Sequence, residues 1–294
     1  MATATELFEE HRNLLFSVAY RMLGSVADAE DAVQDSWLRW STVDVSTVEY
    51  PKAYLVRVVS TTALNRMRTA KARREAYVGP WLPEPLLTSP DVAEEVEMAE
   101  SVSLAMLVVL ETLGPDERAV FVLREVFGYP HAQIAEALDK SEAAVRQLAH
   151  RARSHVQARR PRFEADRAKQ KEATERFLAA TMDGDLESLM GVLAPDVTLV
   201  TDGGGRIQAA RNPIHGADKV ARFLLGVTSR PWAGIPIEEL TYGFADLNGA
   251  FSLLVYHHGK PVSTLTVDVA DGRIAGVQMV ANPEKLRHLP KQEG

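Results

Sequence analysis

Residues 130–153 read PHAQIAEALDKSEAAVRQLAHRAR. Ile134, Ala135 and Leu138 follow Pro130 at helical spacing, so 130–138 forms a short amphipathic helix with that side inward. Asp139-Lys140-Ser141 breaks the pattern as a turn, and Ser141 is well placed to cap the next helix. Beyond it Val145, Leu148, Ala149, Ala152 and Val156 form an apolar stripe at i, i+3, i+4, i+7 and i+11. Arg146, Gln147, His150, Arg153 and Ser154 then fall on the opposite side, with Arg151 at its flank. A small, donor-rich face on the second helix of such a pair fits a DNA major groove, where Arg reads guanine and Gln reads adenine. A charged outer helix of an ordinary bundle has the same pattern, so the rest of the chain has to decide.

The bulk charge argues against a polyanion partner. The chain has 294 residues, 33 basic and 40 acidic, for a net charge of -7. By position the picture changes. Lys52, Arg57, Arg66, Arg68, Lys71, Arg73 and Arg74 lie in an acid-free stretch, and so do Arg146, Arg151, Arg153, Arg159, Arg160 and Arg162. The acids gather elsewhere, in Asp28, Glu30, Asp31 and Asp35 and again in Asp91, Glu94, Glu95, Glu97 and Glu100. Two separated basic helices are candidate polyanion contacts. The composition, 46% apolar and 25% charged, suits packed soluble domains, and the length suits two or three of them. The absence of cysteine excludes disulfides, thiolate nucleophiles and Cys-based metal sites, and fits a reducing compartment. There is neither a signal pattern at the N-terminus nor an apolar run of about 20 residues, so no membrane association is expected.

Residues 5–75 read as helical. Leu7, Leu14, Leu15, Val18 and Met22 form a stripe that breaks at Gly24-Ser25; Asp28 is read as the cap of a second helix ending at Trp40, and a third begins after Pro51. On that third helix Arg57, Thr61, Asn65 and Arg68 share one side, opposite Leu55, Val56, Val59, Ala63 and Met67. Arginines beside short hydroxyl and amide groups suit backbone phosphates and unstacked base edges. Tyr54 and Tyr77 are aromatic enough to stack on bases, though packing is the commoner role. Pro80, Pro83, Pro85 and Pro90 exclude a helix and mark a linker; helical periodicity resumes near Val92. After about Ala168 two short helical patterns lead to Val197–Val200, and a helix follows Gly216. Then come strand-like runs at Leu247–His257, Val262–Val269 and Ile274–Val280, separated by Asn248-Gly249, His258-Gly259 and Asp271-Gly272 turns.

These residues together resemble a known family. The stretch GSVADAEDAVQDSW at 24–37 is similar to the core-polymerase-binding helix of extracytoplasmic-function (ECF) sigma factors. The helix Tyr54 to Arg68 resembles their promoter −10 element, and LGPDERAVFVLR at 113–124 with the helix-turn-helix resembles their −35-reading domain. The remainder resembles a SnoaL-like domain of the NTF2-like fold, and sigma factors so extended form a SigJ-like group. Three motifs match that group: Trp81-Leu82-Pro83-Glu84-Pro85, Asp202-Gly203-Gly204-Gly205 and Asn282-Pro283-Glu284-Lys285. Thr61 stands where many members carry asparagine, and Gln147, Leu148 and His150 are particular to this chain.

The resemblance implies two all-α sigma domains, the second with a helix-turn-helix, plus a C-terminal α+β NTF2-like cone with a curved antiparallel sheet. It implies boundaries at 1–76 for region 2, 77–100 for the linker, 101–162 for region 4 and 168–290 for the SnoaL-like domain. It also implies a cytoplasmic, non-enzymatic transcription factor without cofactor, whose partners are core RNA polymerase and promoter DNA. Asp28, Asp31, Gln34 and Asp35, with Trp37 and Leu38 as apolar anchors, would meet the β′ clamp helices. Arg57, Thr61, Asn65 and Arg68 would hold melted −10 DNA. Arg146, Gln147, His150, Arg151 and Arg153 would read the −35 duplex. The acidic 91–100 stretch has the charge of a nucleic-acid mimic. Trp81, Pro83, Pro85, Asp202, Gly203, Gly204, Asn282, Pro283 and Lys285 would form a regulatory interface acting in cis. The free protein, being acidic, would bind DNA poorly without polymerase.

Two other readings compete. In one, the last domain is a SnoaL-type small-molecule enzyme or sensor fused to a DNA-binding module, with Asp202, His215, Tyr242 and His257 available for acid–base work or for a pocket ligand. A glycine-flanked aspartate is, however, a good turn residue, and isolated histidines are usually structural. In the other, the chain is a free-standing helix-turn-helix regulator, for which the acidic Asp28 helix has no use.

Overall fold

The computed structural model describes residues 3–88, 103–159 and 167–292, so the acidic stretch expected to mimic nucleic acid lies outside the described residues. The chain forms two compact units, Met1–Ala76 with Leu107–Arg160 and Tyr77–Met106 with Pro161–Gly294.

The first unit is helical. Helix α1 (Ala4–Leu23) starts in a capping box: the Thr3 hydroxyl accepts from Glu6 N–H, and the Glu6 carboxylate accepts from Thr3 N–H. It stops at Gly24, whose φ of 68° suits glycine. Helix α2 (Val26–Trp40) is capped by Ser25, not by Asp28. The serine hydroxyl, three residues earlier, accepts the Asp28 N–H, and Asp28 instead lies in the first turn, where a carboxylate meets the positive helix end. Helix α3 (Pro51–Glu75) completes the group. Leu15, Val18 and Met22 of α1, Ala29 and Val33 of α2, and Leu55, Val59 and Ala63 of α3 are buried together. Trp40 is fully buried, yet its indole N–H reaches the Ala4 carbonyl at 2.7 Å.

Helices α4 (Leu104–Glu111), α5 (Pro115–Phe121), α6 (His131–Ala137) and α7 (Glu142–Arg159) follow. Between α5 and α6 the backbone widens into a π turn at Val122–Val126, a feature periodicity does not reveal. The Ser141 hydroxyl accepts the Ala144 N–H as a cap, and the whole Val145, Leu148, Ala149, Ala152, Val156 stripe is buried. Truncating Leu148 in such a stripe costs about 2–5 kcal/mol.

The second unit carries α8 (Arg167–Met182), α9 (Leu186–Val192) and α10 (Ala217–Thr228) with a six-stranded sheet, β1 (Leu193–Asp202), β2 (Ile214–His215), β3 (Leu240–Leu247), β4 (Ala250–His257), β5 (Lys260–Ala270) and β6 (Arg273–Val280). The strand order is β2-β1-β6-β5-β4-β3. This is the expected α+β class with one difference: β1 and β6 pair in parallel, whereas the other pairs are antiparallel. After α10 the chain enters the sheet at its far edge, and three hairpins then deliver β6 beside β1 in the same direction. Phe177, Leu178, Leu189, Val220 and Leu224 from the helices pack on Leu199, Leu253, Leu265, Val267 and Val277 of the sheet. Register shifts at Val255/Tyr256 and Asp268/Val269 bend the strands.

Candidate functional site

In the first unit, α7 presents Arg146, Gln147, His150, Arg151, Arg153 and Ser154 as one exposed face. Its arginines are held by acids: Arg146 by Glu142 at 2.5 Å, Arg151 by Glu117 at 3.2 Å and Arg153 by Glu125 at 2.7 Å. Such largely exposed pairs are worth about 0–1 kcal/mol each.

The α3 face behaves differently. Arg57 pairs with Glu136 at 3.5 Å, Thr61 donates to the Ala137 carbonyl at 3.0 Å, and Arg68 meets Asp116 at 2.9 Å, an acid also held by Lys140 at 3.2 Å. Asn65, on the same side, is exposed. Thus three of the four residues expected to hold −10 DNA touch α5 or α6. A groove of about 650 Å³ lies alongside, lined by Tyr50, Lys52, Tyr54, Arg57, Tyr129 and Gln133 among others. Tyr54 packs on Trp40, with ring centres 5.5 Å apart. Beneath, Arg118 of α5 is buried, donates to the Arg21 carbonyl at 3.0 Å and pairs with Glu111. Arg21 is buried too, and desolvation pulls it down to about 10, still charged at neutral pH.

On α2, Asp28, Asp31 and Asp35 share one cation, while Glu30 pairs with Arg12. Arg66 of α3 lies 2.7 Å from Asp35, 3.2 Å from Asp31 and 3.9 Å from Asp28. Three carboxylates against one guanidinium leave the patch near −2, set in a defined array. Gln34 is exposed beside it, Leu38 is 58% exposed, and Trp37 is half-buried edge-on against Phe8. Arg66 is the member of this group that helical spacing alone does not pick out.

In the second unit the three short motifs meet. Asp202, at the end of β1, is completely buried; its carboxylate accepts from the Tyr77 hydroxyl at 2.6 Å, the Leu82 N–H at 2.8 Å and the Gly204 N–H at 3.0 Å. The buried Lys285 ammonium binds the same carboxylate at 2.7 Å, donates to the Leu82 carbonyl and lies 3.8 Å from the centre of the Trp81 ring. The Asn282 amide donates to the Tyr77 hydroxyl at 2.8 Å. Burial, and then the hydrogen bond to Asp202, push the Tyr77 phenol well above its ordinary value. Pro83 and Pro85 are buried, and the Pro85 carbonyl meets the His288 ring at 2.6 Å. Residues 86–88 continue onto the β3–β4 turn, where Leu86 N–H donates to Asn248 Oδ1 and Thr88 N–H to the Asp246 carbonyl. Tyr77 is the partner hardest to foresee; opposite charges in two separate motifs, Asp202 and Lys285, are the available signal.

The groups considered for acid–base work do not converge. Asp202 is engaged as above, His215 contacts Thr198, and His257 contacts Glu239. Only Tyr242 of that set lines the apolar pocket of about 80 Å³ under α8 and α10, together with Leu178, Trp232, Leu265 and Met279.

Residues 7–73 match the family described as Sigma-70 region 2, and residues 103–156 match Sigma-70, region 4. The chain belongs to the ECF RNA polymerase sigma factors. It is 40% identical to the ECF RNA polymerase sigma factor SigJ of Mycobacterium tuberculosis, across 97% of this chain and 94% of that protein. The probable ECF RNA polymerase sigma factor SigI of the same species is 31% identical over 97% of this chain and 95% of its own length. The crystal structure of Mycobacterium tuberculosis SigJ superposes with a TM-score of 0.78 at 38% identity, covering 97% of this chain and 99% of that one. Among the described residues no helix is long and apolar enough to cross a membrane.

Proposed function

We propose that this sigma factor is stored closed and that its second unit holds it so in cis. The carrying observation is the cover over the α3 face: Thr61 bonded to Ala137, flanked by Arg57–Glu136 and Arg68–Asp116. By their numbering, −10 and −35 elements lie about 25 base pairs apart, roughly 85 Å of B-DNA at about 3.4 Å per pair. A molecule in which the −10 face touches the −35 domain does not span that distance, so opening accompanies promoter binding. In the open form Arg57, Thr61, Asn65 and Arg68 hold the melted strand, the groove at Tyr50 and Tyr54 takes an unstacked base, and the exposed α7 face reads the duplex. The ordered acids Asp28, Asp31 and Asp35, with Gln34, Trp37 and Leu38, engage core polymerase in the cytoplasm.

The clasp built from Asp202, Asn282 and Lys285 sets how far the halves separate. It keeps residues 77–88 on the second unit, and their release adds about 40 Å of reach at roughly 3.4 Å per residue. The domain regulates and does not catalyse, a reading supported by the apolar lining of its pocket and the dispersal of its acid–base candidates. Because the chain has no cysteine, the pair Ala53→Cys and Ala143→Cys can be labelled uniquely. The interlabel distance should be short and narrow in the free protein and lengthen on adding core polymerase and promoter DNA. An unchanged distance in a transcribing complex would refute the closed-store reading.

A further inference from the structure

The β4–β5 hairpin carries a side-chain cluster that promoter recognition leaves unused. His257 ends β4, His258 and Gly259 make the two-residue turn, and Glu239 immediately precedes β3, whose Leu240 pairs with His257. Consecutive residues of a strand point to opposite faces, but His258 is in the left-handed region at φ 49°, which swings its ring back. The two imidazoles consequently lie 3.9 Å apart, centre to centre. His257 Nε2 is 3.1 Å from Glu239 Oε2, and one ligand atom from each of the three side chains lies within 4.8 Å of the others. Among the described residues this is the one group of three such side chains that converges.

We infer that Glu239, His257 and His258 form a surface site for a zinc-class divalent cation. Zinc binds imidazole nitrogen and carboxylate oxygen at about 2.0–2.2 Å, which sets tetrahedral ligand atoms about 3.4 Å apart. The His257–Glu239 separation already matches that edge, and small side-chain rotations bring in His258. Two imidazoles with one carboxylate select zinc and its transition-metal neighbours over magnesium or calcium, which prefer oxygen ligands. Three protein ligands leave the fourth position to water. The turn itself does not demand histidine: the other two hairpins place Asn248 (φ 52°) and Asp271 (φ 51°) at the equivalent position. Bound there, the ion braces the start of β3 against the hairpin. Gln292 reaches the same hairpin, its N–H donating to the Gly259 carbonyl at 3.0 Å.

The test is equilibrium binding of zinc chloride to the full-length chain, with cobalt(II) absorption as the report of ligand geometry. The wild type should take up one zinc with saturation and give the visible bands of tetrahedral cobalt. His258→Asn keeps the left-handed turn, as Asn248 does, and should weaken binding at least about tenfold; Glu239→Gln and His257→Ala should do likewise. Wild-type affinity in His258→Asn and His257→Ala would place the metal elsewhere and overturn the assignment, as would the absence of saturable binding.

Discussion

The hydroxyl of Thr61 donates to the carbonyl of Ala137 at 3.0 Å, joining α3 to the last residue of α6 across 76 residues of sequence. A hydrogen bond of this kind contributes about 1 kcal/mol, and each exposed ion pair beside it about 0.5 kcal/mol. The closed form is therefore favoured by only a few kcal/mol through these contacts. Thr61→Val combined with Asp116→Ala should raise the open population of the free protein about tenfold, read from the interlabel distance distribution. High salt should act in the same direction by screening the two ion pairs. A distribution insensitive to both would show that other contacts close the unit.

The Asp202–Lys285 pair lends itself to a double-mutant cycle. Removing one member of a buried pair strands the other charge and costs about 3–5 kcal/mol. Lys285→Met should lower the unfolding free energy of the second unit, measured by denaturant titration, by that amount and increase transcription from a cognate promoter. Asp202→Asn with Lys285→Met should recover most of the lost stability. A double variant no more stable than Lys285→Met alone would mean that the two charges do not depend on each other.

Asp268 should make the same unit pH-sensitive. Desolvation raises its carboxyl from 3.8 to about 6, partly countered by the 2.5 Å hydrogen bond from Gln278. A folded-state value above the unfolded one means that stability is intact below about pH 4 and declines as pH rises to about 6, beyond which the penalty is constant. A carboxyl raised that far costs about 2–3 kcal/mol once it is ionised. Asp268→Asn should thus stabilise the protein by up to that amount at pH 8 and hardly at all at pH 4. Equal gains in urea unfolding at both pH values would contradict this.

Gly204 has φ 60°, and a Cβ there would overlap the Asn282 amide. Gly204→Ala combines left-handed strain of about 1–2 kcal/mol with displacement of Asn282 from Tyr77. Hydrogen exchange should accelerate at Lys285 and Leu289, whose N–H groups bond to Asn282 and Leu286 carbonyls. Exchange unchanged in this segment would show that the glycine is replaceable.

Much of this was legible in the chain. The helix-turn-helix followed from Val145 to Val156 because one stripe serves one partner helix, and the α7 face followed as its complement. Strand β3 did not: Thr241, Tyr242, Gly243 and Phe244 lie on a sheet edge, where burial imposes no apolar alternation. Serine and aspartate three residues apart both fit a helix start, so the sequence does not by itself choose Ser25 over Asp28 as the cap of α2. The meeting of Asp202 with Lys285 depends on β1 running parallel to β6, a topological fact that hydropathy does not encode. The cover over Thr61 rests on surface charges, which have no period to read.

The parallel seam between β1 and β6 has a mechanical consequence. Asp202 pairs with Val280 in register, and the Asp202 carbonyl accepts the Ala281 N–H at 2.8 Å, immediately before Asn282. Backbone ladders slip by whole residues, and a slip of one turns every side chain to the other face of the sheet. Any shift of β6 along β1 would therefore remove Asn282 and Lys285 from Asp202 together. The clasp around Asp202 is thus tied to a single register of the parallel seam.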